Sequence, residues 1–433
     1  MTLKYPATLA AFAALLTAAA AVAPAAVRAA GPPSLEALWA IVQQQQADIE
    51  RLSSELEATR SQLVSSEAQA AITEERLTIT TDYLDEIAAG RGSGASAENR
   101  TSIGGYGELH YNDVDASDSD GDFQEIDFHR LVTFISHEFT DRIRFFSEIE
   151  IEHALVEDTE EGSGAGELEI EQAFIEFDLG DNHLARTGLF LVPVGILNET
   201  HEPETFYGVE RNDVENIIIP STWWEAGAAT SGRYGNGLSW DFAITSGLAM
   251  PTDGSSAFRV RSGRQKVSEA NADYPAYTGR VKYTGLPGLE LSATVRYEED
   301  VSQIGGDGLD DGLLVSLHGI WNWQRFQLRA LWSKWQFDGD AVELAGADDQ
   351  TGWYVEPSFR IGRRENDWGF YVRYEDLEGA RTQDRFDQWE AVFNYWPVPN
   401  VVLKFDYRER DHDLAGDAGR DFSAVDLGVG YSF

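Results

Sequence analysis

At 433 residues the chain is too long for one ordinary globular core, which leaves several domains or one large barrel. Its 74 acidic residues against 33 basic ones give a formal net charge of -41, which excludes a nucleic-acid partner, because a phosphate backbone demands a basic footprint. The absence of cysteine excludes a disulfide framework, a cysteine nucleophile and a thiolate metal site.

Residues 1–30 read as a secretory signal peptide: Lys4 supplies the charged start, Leu9 to Val22 the apolar run, and Val27-Arg28-Ala29 the cleavage region. Pro24 and the alanine-rich run argue against an uncleaved anchor. No later run of about 18 apolar residues follows, so any further membrane span has to be a strand. The mean hydropathy of -0.33 is compatible with that, since a porous barrel is apolar only at alternate residues.

Residues 31–89 carry apolar side chains every seven positions (Leu35, Val42, Ile49, Leu56, Leu63, Ala70, Leu77, Leu84), which predicts a periplasmic coiled-coil helix. The matching d positions are mixed, with Leu38, Leu52 and Ile87 apolar but Gln45, Thr59 and Ser66 polar, so the seam is weak and needs an attached oligomer to assemble. Roughly 50 residues at about 1.5 Å each would make a rod of about 80 Å. A solitary amphipathic helix is the alternative. Residues 90–100, rich in glycine and serine, read as a flexible linker.

From Thr101 to Phe433 the pattern alternates with period two, clearest over Leu289–Tyr297, Val401–Arg408 and Ala424–Phe433. Sixteen such segments can be counted, an even number of porin size. Short connections, such as those around Asp181-Asn182, Pro287-Gly288 and Gln324, alternate with long ones, such as Val114–Asp122, Ile196–Ser221 and Ala249–Asp273. That asymmetry predicts an all-β membrane protein, a 16-stranded antiparallel transmembrane β-barrel with periplasmic turns and external loops. A soluble β-sandwich would alternate too, but Tyr111, Trp223, Trp224, Tyr297, Trp321, Trp368, Tyr395 and Tyr407 sit at the ends of apolar faces, as interface girdles require.

If the apolar rows face lipid, the intervening residues face the lumen. These offer an acidic set (Glu148, Glu150, Glu152) and a basic set (Arg280, Lys282, Arg296, Arg329, Arg360, Arg373, Lys404, Arg408), and two such walls would orient dipolar solutes and let anions follow the basic side. About half of these charges are expected to pair across neighbouring strands. The connection 196–221 is too apolar for a solvated loop: Phe206, Tyr207 and Ile217–Ile219 need cover, and the lumen offers it. An inward-folded loop would make His201, Glu202, Glu204, Tyr207, Glu210, Arg211 and Asp213 the pore constriction. A latch over a trimer rim is the alternative.

Other motifs carry less. Asp118, Asp120 and Asp122 resemble part of a calcium loop without the remaining EF-hand spacing, so weak calcium competes with a plain solvated loop, and no other metal and no cofactor are expected. His201-Glu202 does not continue as a zinc-protease helix, because Pro203 breaks it and position 205 is Thr. The eight histidines are scattered with no evident partner, which speaks against an enzyme.

The run Gly188–Gly195, then Asn198–Arg211, then Ile219–Glu225 with Gly227, resembles the phosphate-selective porin O/P family. The resemblance spans Thr101 to Phe433, including the terminal aromatic Phe433. It implies a trimer of sixteen-stranded barrels, a third loop folded inward, and anion selectivity through lysine and arginine at the constriction. Here Arg211 stands alone against Glu199, Glu202, Glu204, Glu210, Asp213 and Glu215. The N-terminal heptads are similar to those of dicarboxylate-type trimeric porins.

The expected function is an outer-membrane porin of a Gram-negative bacterium, a homotrimer through which small hydrophilic solutes, anions by preference, diffuse passively. Its surroundings would be outer-membrane lipid and lipopolysaccharide, with the coiled coil in the periplasm. A structural tether, in which the rod reaches toward peptidoglycan, is the alternative.

Overall fold

The computed structural model describes residues 100–117, 121–154, 166–305, 308–363, 365–413 and 420–433. The signal peptide, the coiled coil, the linker to residue 99, and Asp118 and Asp120 of the calcium candidate lie outside them.

Sixteen strands run β1 (Thr101–Ala116), β2 (Phe123–Thr140), β3 (Ile143–Glu152), β4 (Leu168–Gly180), β5 (His183–Leu191), β6 (Trp224–Arg233), β7 (Leu238–Thr245) and β8 (Ala276–Leu286) in the first half. The second half continues as β9 (Leu289–Glu298), β10 (Gly312–Trp323), β11 (Phe326–Phe337), β12 (Asp349–Arg363), β13 (Glu365–Glu378), β14 (Arg385–Val398), β15 (Val401–His412) and β16 (Phe422–Ser432). Each pairs antiparallel with its sequence neighbours, and β1 closes on β16 from Tyr106 opposite Ser432 to Ala116 opposite Phe422. Closure leaves no unpaired edge, which is what a sheet needs where water cannot satisfy its backbone.

Alternation sets the two faces. On β15 Leu403, Phe405 and Tyr407 point outward and are exposed, while Val402, Lys404 and Asp406 point inward and are buried. On β9 Leu291, Val295 and Tyr297 are outward, and Ser292, Thr294, Arg296 and Glu298 inward. Aromatic side chains gather at the end with the tight turns: Trp321 stacks on Trp323 beside the β10–β11 turn, and Trp368 on Tyr395 with ring centroids 4.1 Å apart. Among those turns Asp181 and Asn182 both adopt left-handed φ (51° and 62°), the twist that joins right-twisted strands in two residues.

At the other end the long connections pack on one another. Val192, Val194, Val214, Ile218 and Trp223 of the β5–β6 connection meet Leu248, Met250, Phe258 and Val260 of the β7–β8 connection in one buried cluster. Val342, on the short helix α1 (Asp340–Ala345), joins it. No helix among the described residues is long and apolar enough to cross a membrane, which says nothing of the strands.

Candidate functional site

The β5–β6 connection is closed at its base by Asn198, whose Nδ2 donates to Val192 O (2.7 Å) and Trp223 O (3.0 Å) while its Oδ1 accepts from Trp223 N (2.6 Å). Inside it lies Glu215, wholly buried. Its carboxylate accepts from Leu197 N at 2.7 Å, from Tyr354 OH on β12 at 2.8 Å, and from Ile196 N and Asn212 Nδ2. A buried carboxylate is tolerable only with such a full set of donors.

From this base the segment reaches strands around the barrel. Arg329 of β11 donates to Thr205 O (2.8 Å), Asn394 of β14 to Tyr207 O (2.8 Å), Lys404 of β15 to Gly208 O (2.7 Å), and Asp406 accepts from Val209 N (2.6 Å). Past β16, Glu210 accepts from His110 Nδ1 (3.0 Å) and Asn112 Nδ2 (3.1 Å) of β1. His201 Nε2 lies 3.2 Å from Glu148 of β3 and 3.6 Å from Glu171 of β4.

Inward-facing glycines make the seats. A Cβ on Gly430 would stand 2.3 Å from Pro203 Cβ, and one on Gly352 would stand 2.9 Å from Ile218 Cγ1. Close approach, not unusual dihedrals, is what these two glycines supply.

The seven constriction candidates therefore divide. Tyr207 packs against Tyr371 and Trp396 as an apolar anchor. His201, Glu210 and Asp213, the last paired with Arg410, are charged anchors. Glu204 is near Lys404 and Ser432, and Glu202 receives Thr205 through its carbonyl. Arg211 differs: it donates to Thr222 Oγ1 (3.0 Å) and His201 O (3.3 Å) and has no carboxylate within 4.0 Å among the described residues.

The basic set is paired more fully than the expected half. Arg280 meets Asp241 and Glu199, Lys282 meets Glu290, Arg296 meets Glu225 and Glu298, and Arg329 meets Glu356. Arg360 meets Asp367, Arg373 meets Glu390, and Arg408 meets Asp426. Lys404 alone of the eight donates only to a carbonyl, and its ammonium sits 3.7 Å from the centre of the Phe206 ring. For most of them the physical reason is register, since an inward carboxylate on an adjacent strand lies within reach, whereas Arg296 meets Glu298 of its own strand and Glu225 of β6; a charge walled in by protein needs a partner. The acidic set pairs too, with Arg130 2.8 Å from Glu150 and 4.0 Å from Glu152, and Glu148 receiving Gln172 and His201.

Besides Lys404, two cations of the β7–β8 connection have no carboxylate within ion-pair distance among the described residues. Arg261 and Arg264, from the β7–β8 connection, donate to the carbonyls of Ser221 and of Pro220 and Thr222, beside Arg211. Neither has a carboxylate within 4.0 Å among the described residues. Burial first, then the nearby Arg264 and Arg211 guanidiniums, push Arg261 down from the usual arginine value to about 9, still charged near neutrality. Glu152, Glu169 and Glu171 face Arg264 from β3 and β4 beyond ion-pair distance. The trio is thus a patch of positive charge held by main-chain carbonyls and the Thr222 hydroxyl, with acidic residues of β3 and β4 near Arg264. Arg261 and Arg264 escaped the sequence reading, although the run Arg259-Val-Arg-Ser-Gly-Arg-Gln-Lys266 holds four cations in an acidic chain and could have flagged them.

No family model matches the chain. An uncharacterized protein of Aquifex aeolicus (strain VF5) is 32% identical over 366 residues, which cover 75% of this chain and 80% of that protein. Among solved structures, an anion-selective porin from Comamonas acidovorans aligns over 77% of this chain and 99% of its own, with TM-score 0.54 and 13% identity. The outer membrane channel DcaP of Acinetobacter baumannii aligns over 79% and 100%, with TM-score 0.53 and 16% identity. OmpF of Salmonella typhi, solved with daunomycin, aligns over 77% and 97%, with TM-score 0.53 and 13% identity. At these identities the likeness is one of fold, a closed porin-like barrel.

Proposed function

We propose that this chain, which belongs to the same family as the uncharacterized Aquifex aeolicus protein, is an outer-membrane porin through which small hydrophilic solutes diffuse passively, anions by preference. The outward apolar rows, unsuited to water over so large a band, and the charged interior support a membrane barrel. The fold it shares with an anion-selective porin supports the same reading. A homotrimer in the outer membrane, with the N-terminal segment in the periplasm, belongs to this reading, as does a kinship with phosphate-selective porins.

One observation carries the ion preference. Most lumen cations are cancelled by neighbouring carboxylates, whereas Arg211, Arg261 and Arg264 have no carboxylate within ion-pair distance among the described residues, and Glu152, Glu167, Glu169 and Glu171 lie near Arg264 beyond that distance. Opposed charges of this kind set a transverse field, and an anion follows the guanidinium side.

Reversal potential in a salt gradient across a planar bilayer tests it. The unmodified protein should favour chloride over potassium mildly. Since a unit charge at roughly 7 Å in water is worth about 0.6 kcal/mol, of opposite sign for the two ions, each Arg→Gln change in the trio should lower that preference by up to about sevenfold. A selectivity that ignores the triple substitution would move the permeation path elsewhere.

A further inference from the structure

Three of the eight histidines, far apart in sequence, meet on the inner face of β1–β3 toward the end with the long connections. We propose that Asp127, His129 and His153 form a binding site for a divalent transition-metal ion of the zinc, copper or nickel class, with His110 and Glu210 as a second donor pair beside it.

The backbone makes the cluster. His110 lies opposite Asp127 and Glu108 opposite Arg130, so the ladder between β1 and β2 carries a bulge at Phe128 and His129. Strict alternation would send His129 outward, since Arg130 points in; the extra residue re-aims it. His129 therefore stacks on His110 with centroids 4.5 Å apart and meets His153 edge-on at 5.7 Å. His153 follows the last residue of β3.

The donors converge. Asp127 Oδ2 lies 3.0 Å from His129 Nδ1 and 2.9 Å from His153 Nδ1. A tetrahedral ion with bonds of about 2.0–2.1 Å holds its ligands about 3.3 Å apart, so the two Asp127 contacts need only a few tenths of an ångström of expansion, and the two imidazole nitrogens lie within 4.8 Å of each other. On binding, the ion takes the place of the imidazole protons that now lie between the rings and the shared carboxylate oxygen, and those protons go to solvent. Donor atoms of His110, His129 and Glu210 also lie within 4.8 Å of one another, so His129 is common to two triads.

Access and charge agree with the assignment. The side chains of Asp127, His129 and His153 are 20%, 22% and 46% exposed, so a hydrated ion can arrive and keep a water in its open position. The buried trio Glu148, Glu171 and His201, at 1–3%, offers no such entry. Arg130, the nearby cation, is already held by Glu108 (2.7 Å) and Glu150 (2.8 Å). Imidazole donors favour zinc, copper and nickel over the hard ions calcium and magnesium.

The test is calorimetric titration of untagged, detergent-solubilised protein with zinc chloride, and with calcium chloride as the hard-ion control. Saturable zinc binding is expected, lost in the double variant H129Q/H153Q and weakened at least about tenfold in D127N. Copper(II) bound in its place should show nitrogen hyperfine structure from imidazole in its electron paramagnetic resonance spectrum. Absence of saturable zinc binding, equal binding of calcium, zinc binding that survives the double variant, or an oxygen-only copper spectrum would each overturn the site. Should the double variant not fold, H153Q alone, beyond the strand end and half exposed, must still weaken zinc binding. The assay reads binding and not conductance, so its outcome is independent of the pore's ion preference.

Discussion

His201 Nε2 approaches Glu148 Oε1 to 3.2 Å with both side chains almost wholly buried, and this pair fastens the β5–β6 connection to the wall on β3. Burial alone would lower the imidazole pKa, but Glu148 and Glu171 raise it to about 10. A group raised in the folded state stabilises fully below its unfolded value of about 6.5, and that stabilisation is lost as pH climbs through 10. The apparent melting temperature of the protein in detergent should therefore fall from pH 7 to pH 10. His201→Ala should lower it at pH 7 by the equivalent of about 3 kcal/mol, because two buried carboxylates lose their cation. The substituted protein should lose less on going to pH 10. An identical pH slope in both proteins would remove His201 from this role.

What could be read from the sequence follows what each signal depends on. The strands were legible because lipid-side rows such as Leu403, Phe405 and Tyr407 are apolar and their inward neighbours are not, a purely local pattern. Strand number and turn asymmetry came from the same pattern. Phe206 and Ile218 needed burial by composition alone, and both are buried. Pairing was not legible, because Arg408 finds Asp426 only through the β15–β16 register, and Arg211 finds Arg261 and Arg264 only through two connections meeting. The histidines looked scattered for the same reason: a bulge and two hairpin registers bring residues 110, 129 and 153 together.

Gly430 is the closest seat in the wall. Gly430→Val would drive a side chain into Pro203, whose Cβ stands 2.3 Å from where a Cβ would be, and the segment has to lift. Overpacking of this kind costs about 1–3 kcal/mol. Protease cleavage within 196–221 should speed up and single-channel current should become noisier. Gly279→Ala, with open space around its Cβ position, is the matched control and should change neither. Equal behaviour of the two variants would mean that Gly430 is not a seat.

Glu204 extends the pH argument to the acidic side. Burial pushes its carboxyl up to about 7, against the hydrogen bond with Ser432 and the Lys404 ammonium. Its folded value exceeds the ordinary 4.5, so its contribution is fully present below 4.5 and disappears as pH rises through 7. Glu204→Gln should therefore stabilise the protein at pH 8, by about 1–3 kcal/mol, and leave it unchanged near pH 5. Glu199 works in the opposite sense: burial resists its ionisation, yet Arg280 and Lys282 hold it at about 2, so its contribution is lost as pH falls from 4.5 toward 2. The windows of Glu199, Glu204 and His201 abut, which places the stability maximum at mildly acidic pH, near 5. A melting temperature that peaks at pH 8 or above in the unmodified protein would contradict the assignment of these three groups together, and an E204Q variant with unaltered pH dependence would contradict the assignment of Glu204 alone.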